Sequence, residues 1–92
     1  MWAEALYNRG VCAMQSREGR DYLKACAYFE RIYLMYSGYR TWAAKAYLRR
    51  AECLVRLGDK EKARETLQAF LDDASYEGLP EVAEARDAIE KL

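Results

Sequence analysis

The chain repeats itself, and that repetition restricts what it can fold into more than any other feature. Ala5-Leu6-Tyr7-Asn8-Arg9-Gly10-Val11-Cys12 lines up with Ala46-Tyr47-Leu48-Arg49-Arg50-Ala51-Glu52-Cys53 at an offset of 41, pairing Arg9 with Arg50, Gly10 with Ala51 and Cys12 with Cys53. Further along, Ala25, Phe29 and Ile32 line up with Ala63, Leu67 and Phe70 at an offset of 38. The first copy therefore carries three extra residues in its internal turn. Two linked segments recurring at roughly this period mark a solenoid, in which each unit buries a face against its neighbour.

The segments read as helices. Ala, Leu, Arg, Glu and Lys dominate, Pro80 is the sole proline, and no stretch sustains strand alternation. Breaks at Glu18-Gly19-Arg20, Ser37-Gly38, Gly58-Asp59 and Gly78-Leu79-Pro80 leave five helices, near 2–17, 21–36, 40–57, 59–74 and 80–91. Asp21 and Asp59 are expected N-caps, and Pro80 suits the first turn of the last helix. The second helix is apolar nearly all round, with Leu23, Ala27, Tyr28, Leu34 and Met35 filling what Ala25, Phe29 and Ile32 leave, so it is expected to be buried on several sides. The fourth, with Ala63, Leu67 and Phe70 against many charges, should lie at the surface with one face in the core. The expected fold is all-α: one domain over 1–92, with helix hairpins at about 2–36 and 40–74 and a capping helix at about 80–91.

Composition narrows the function. Fifteen Lys and Arg balance fifteen Asp and Glu, with the basic residues interspersed among acids, so nothing points to nucleic acid. The longest apolar runs, Ala25–Phe29 and Ile32–Tyr36, are five residues, too short for direct membrane insertion. There is no histidine, no Cys-x-x-Cys pair and no glycine-rich phosphate loop, so the reading assigns no metal, no cofactor and no catalytic residues. Cys12, Cys26 and Cys53 sit among apolar residues at helical spacing and are expected to be buried as small hydrophobes, ahead of a disulfide or redox role. Free thiols and the lack of a signal peptide after Met1 favour a reducing compartment such as the cytoplasm, with a bacterial periplasm or envelope as the alternative.

These residues resemble the tetratricopeptide repeat, a helix-turn-helix unit with small residues where its helices cross and a Gly-Asp turn between them. The second copy carries the likeness through Tyr47, Ala51, Leu54, Gly58-Asp59, Ala63 and Leu67; the first carries it through Leu6, Gly10, Ala25 and Phe29, with a longer turn. Arg9 and Arg50 stand where the family usually has leucine. Within the family, Trp42-Ala43-Ala44-Lys45-Ala46 followed by Gly58-Asp59 looks most like bacterial envelope-associated members. The resemblance implies a short right-handed α-solenoid that binds a protein or peptide on its concave face.

On that basis the first helix of each pair would line the groove, placing Tyr7, Asn8 and Val11 beside Lys45, Arg49, Glu52 and Arg56. Residues three or four apart share a helix face, so the plain account of the last four is a solvated face with internal Arg–Glu pairs. The sharper one is that Asn8, Lys45 and Arg49 match positions with which some family members clamp a peptide carboxylate. The second candidate surface is aromatic. Eight tyrosines are a surplus, and Tyr33, Tyr36, Tyr39 and Trp42 cluster near one helix end. They serve either as packing between helices or as an interface. Trp2 and Leu6 on the first helix would face a missing neighbour, because two pairs and a cap make a marginal array. Either further repeats of a longer chain cover that face or the unit forms a homodimer. The functional expectation is a binding scaffold, with structural self-association as the alternative.

Overall fold

A computed structural model of the chain describes residues 2–15, 19–36 and 38–92, without the side chains of residues 2, 19 and 20. Helices α1 (Trp2–Met14), α2 (Gly19–Met35), α3 (Arg40–Arg56), α4 (Lys60–Asp72) and α5 (Pro80–Lys91) follow in order, with a 3₁₀ turn at Ala74–Tyr76 between the last two. Each helix packs on its successor, and α3 also touches α1 and α5. The result is a slab 35 × 32 × 17 Å, about two helices thick at usual interhelix spacing.

The turn between α3 and α4 shows how local sequence sets the path. Gly58 adopts φ +86°, its amide donates to the Val55 carbonyl at 3.0 Å, and the Asp59 amide donates to Leu54 at 2.9 Å. This is a Schellman closure, which needs a left-handed residue that glycine supplies without a Cβ clash. The Asp59 carboxylate then accepts from the Lys62 amide at 3.0 Å and caps α4, as expected. Pro80 opens α5, also as expected.

Asp21 does not cap α2: the helix begins two residues earlier, at Gly19, and Asp21 lies inside its first turn. Residues 16 and 17 at the expected end of the first helix, Glu18 of the expected first break and Ser37 of the second fall outside the described residues. The α4 helix stops at Asp72 rather than near 74. The Asp73 carboxylate accepts from the Ser75 amide at 2.9 Å and starts the 3₁₀ turn, which swings Tyr76 into the core at 3% exposure. Arg40, at the start of α3, clamps this turn by donating to the carbonyls of Ser75 and Glu77.

Within the first hairpin the helices cross at Gly10. A Cβ there would lie 2.6 Å from ring carbons of Phe29, which is itself fully buried. Ala51 occupies the matching place in the second hairpin. Between hairpins the contact is aromatic. Tyr33 of α2 stacks on Tyr47 of α3 at 3.8 Å and 6°, and Tyr47 continues to Phe70 at 5.4 Å and Tyr76 at 5.7 Å. Beside the stack, Arg50 donates to the Thr66 hydroxyl at 2.7 Å and pairs with Glu30 at 3.3 Å, tying α2, α3 and α4 together. In this chain the arginine at the family's leucine position is a half-buried bridge between helices.

Two expectations about burial are corrected. Helix α2 is not enclosed: Leu23, Leu34 and Met35 are 62%, 66% and 65% exposed. Only α1 and α3 pack substantially on it, and two neighbours leave the far side of a helix uncovered. Cys12 is exposed, whereas Cys26 and Cys53 are buried. Cys53 is covered by the preceding hairpin, and no hairpin lies on the corresponding side of α1.

Two predictions follow from the packing. In Gly10→Ala, overpacking of about 1–3 kcal/mol exceeds the gain of about 0.5–1 kcal/mol from higher helix propensity, so denaturant unfolding should show a net loss. Burial pushes the Tyr33 and Tyr76 hydroxyls up to about 12 and raises that of Tyr47. Below pH 10 these phenols are neutral whether folded or not; between pH 10 and 12 only the unfolded chain ionises freely. Stability should therefore be level up to pH 10 and fall from there to pH 12, with phenolate absorbance of these tyrosines rising together with unfolding.

Candidate functional site

One broad surface is lined by α1, α3 and α5. From α3, Arg49 donates its Nε–H to the Tyr7 hydroxyl of α1 at 3.0 Å and pairs through Nη1 with Glu52 at 2.9 Å. The hydrogen bond to Tyr7, followed by that to Glu52, raises the Arg49 pKa further above its already high value. Glu52 also accepts from Arg56 at 3.1 Å, and Arg56 reaches back to the Met14 carbonyl at 3.4 Å. Its guanidinium stands 6.0 Å from the centre of the Tyr22 ring. Lys45, one turn before Arg49, holds its ammonium 5.0 Å over the Trp42 ring, and Trp42 in turn packs on Tyr7 at 5.4 Å.

The groove residues read from the sequence thus fall into two groups. Tyr7, Arg49, Glu52 and Arg56 form one linked chain of contacts, with Val11 half-buried behind it. Lys45 belongs to the Trp42–Tyr7 aromatic corner, and Asn8 is exposed on α1. The internal Arg–Glu pairs anticipated for this face are present, and exposed pairs of this kind contribute only a few tenths of a kcal/mol each. Arg49 and Glu52 also border a groove, whereas Arg56 lies beside it.

That groove, about 540 Å³, lies between α3 and α5. Leu48, Ala51 and Val55 of α3, Leu67 of α4, and Ala88 and Leu92 of α5 give it an apolar lining, while Arg49, Glu52, Glu84 and Lys91 supply charges of both signs. Its size falls within the range of about 300–1,000 Å³ common for binding clefts. The contribution of α5 was not anticipated, because that helix reads as a cap. A signal was available: Glu84, Ala88 and Lys91 follow Lys45, Arg49 and Glu52 by the same 39 residues, as buried Ala85 follows buried Ala46. The last helix reuses the positions of the third.

The aromatic set divides as well. Tyr33 and Trp42 are half-buried in packing between helices, through Tyr47 and Tyr7 respectively. Tyr36 and Tyr39 tilt against each other at 6.3 Å, with Tyr39 half exposed. Leu6 borders a cleft of about 270 Å³ with Arg9, Arg31, Met35 and Tyr36, at the open end of the first hairpin. The side chain of Trp2 lies outside those described. Among the described residues, no helix is long and apolar enough to cross a membrane.

Comparison with known families agrees with this architecture. Residues 45–75, from the middle of α3 through the 3₁₀ turn, match the family model described as tetratricopeptide repeat. No curated protein and no solved structure matches the chain.

Proposed function

We propose, starting from a tetratricopeptide repeat chain with an all-helical repeat fold, that it is a scaffold holding a peptide segment of a partner protein in the groove between α3 and α5. Such repeats generally mediate protein–protein interaction, typically without catalysis. The observation that carries the reading is the groove itself: an apolar floor of Leu48, Val55, Ala88 and Leu92 under a rim of Arg49, Glu52, Glu84 and Lys91. Apolar anchors in a desolvated floor provide affinity, and fixed rim charges select partner and register. The fitting ligand is a segment with one or two large apolar side chains flanked by charges of both signs. Lys45, Arg49 and Asn8 extend the same surface toward α1, where a C-terminal carboxylate would find an ammonium and a guanidinium.

Peptides selected on the wild-type protein from a displayed library test this. In Ala88→Arg, a long side chain fills the floor while far-ultraviolet circular dichroism stays unchanged. Binding should weaken by on the order of tenfold or more. Selected peptides that bind this variant as well as wild type would place recognition elsewhere. Replacing the terminal carboxylate of a selected peptide by an amide tests the carboxylate anchor separately; equal affinity would exclude it.

A second reading, self-association, is favoured by a specific observation. Leu23, Leu34 and Met35 on α2, with Tyr39 just beyond it, leave large apolar side chains in water, and half-buried Leu6 and Tyr36 border the cleft beside Met35. Light scattering over a concentration series decides it. A monomer throughout would remove self-association, and a dimer lost in Leu34→Glu would establish it.

A further inference from the structure

We propose that copies of this chain join head to tail, the basic end of the first hairpin in one copy seating against the acidic end formed by α4, the 3₁₀ turn and α5 in the next. Charge is divided along the chain although its total is zero. Residues 1–58 hold ten Lys and Arg against five Asp and Glu, and residues 59–92 hold five against ten, so +5 faces −5. Each part carries a cleft rimmed by its own sign. At the open end of the first hairpin, the cleft of about 270 Å³ is lined by Ala5, Leu6, Met35 and Tyr36, and its charges are Arg9 and Arg31. On the last two helices, a cleft of about 210 Å³ has Leu71 and Val82 in its lining, with Asp72, Asp73 and Glu77 outnumbering Arg86.

The arginines of the basic end are exposed and available. Neither has an acid within one turn of its own helix, and neither has an ion-pair or hydrogen-bond partner among the described residues. The equivalent repeat position shows what such a partner is: Arg50, which lines up with Arg9, pairs with Glu30 of the helix before it at 3.3 Å. Among the described residues no helix supplies that carboxylate to Arg9. The acidic cleft of a second copy does, because Asp72, Asp73 and Glu77 are all exposed. Guanidinium–carboxylate pairs are strong polar contacts, and Leu6 and Met35 meeting Leu71 and Val82 add apolar ones. A two-fold contact through the basic end would instead set Arg9 and Arg31 against their own copies, with no acid in the cleft lining to separate them. Unlike ends meeting avoid that repulsion. Such a contact is heterologous, so each added copy presents a fresh end and oligomers continue to grow or close into a ring.

This keeps from the self-association reading that the partner is another copy, and moves the contact from the exposed face of α2 to the two ends. The peptide groove stays outside it: Glu84, Ala88 and Lys91 line the groove, whereas Val82 and Arg86 line the acidic cleft. Joined copies therefore repeat the groove, and a partner with several apolar segments would bind them by avidity.

Sedimentation velocity of the full chain, over a concentration series reaching on the order of 1 mM, tests the contact. In about 50 mM salt, wild type should pass from monomer to dimer and then to larger species, and about 500 mM salt should weaken association by on the order of tenfold. One variant, Arg9→Glu with Arg31→Glu, reverses the basic end; another, Asp72→Lys with Glu77→Lys, reverses the acidic end. All four side chains are exposed, so circular dichroism should show both variants folded. Each alone should stay monomeric, because its two ends now carry the same sign. An equimolar mixture should associate again, because the untouched acidic end of the first variant meets the untouched basic end of the second. Ala88→Arg should associate as wild type does. A wild type that is monomeric at every concentration in low salt, or variants that stay apart when mixed while wild type associates, would overturn the proposal. A dimer that stops at two, survives both reversals and is lost in Leu34→Glu would overturn it as well, and would leave the α2 face as the contact.

Discussion

The structure depends on the stack of Tyr33 on Tyr47. Each hairpin closes through its own crossing, Gly10 against Phe29 in the first and Ala51 on the corresponding face of the second, but neither crossing orients one hairpin relative to the other. The parallel rings do that, at 3.8 Å and 6°. Phe70 and Tyr76 extend the contact into the second hairpin, so one aromatic column runs from α2 through α3 and α4 to the 3₁₀ turn. Aromatic pairs add about 0.5–1.5 kcal/mol beyond the area they bury. Alongside the column, the Tyr7–Trp42 contact and the Arg49–Tyr7 hydrogen bond join α1 to α3, and α5 packs on α4 and α3.

Polar contacts refine this frame. Arg50 departs from the family's usual leucine, and its bonds to Thr66 and Glu30 fix α4 and α2 against α3 where a leucine would only fill space. The cost is visible in its Nε, which is buried without a partner, an uncompensated desolvation of a kind that remains only where its neighbours hold the group in place.

Function and fold meet in the reuse of one helix position. Tyr7 and Arg49 come from the first helices of successive hairpins, and Ala88 and Lys91 from the helix after them. A solenoid makes a binding surface by repeating a position, so the surface can be extended or altered one helix at a time without disturbing the column behind it. The open side of α2 is different in kind. It lies away from Phe29 and Ile32 and carries Leu23 and Leu34 outward, so its exposure follows from having two packed neighbours and not from the groove.

The sequence by itself determined the helices, their order and the pairing into repeats. It also determined the Gly58-Asp59 turn and the Asp59 cap, because these rest on backbone sterics and on hydrogen bonds spanning five residues or fewer. Helical periodicity and the repeat offset also put Tyr7, Arg49, Glu52 and Arg56 on one side of the repeat, and the structure links these four by contacts. What only the tertiary structure decided were contacts between residues far apart in the chain. The 3₁₀ turn buries Tyr76 because Phe70 and Tyr47 leave room for it. Cys12 and Cys53 occupy equivalent repeat positions yet differ in exposure because one is covered by α2 and the other has no hairpin beside it. Leu34 is exposed although its helix is apolar nearly all round. Periodicity states which residues share a face; which face is covered depends on how many neighbours the fold brings to it, and that count belongs to the assembled structure.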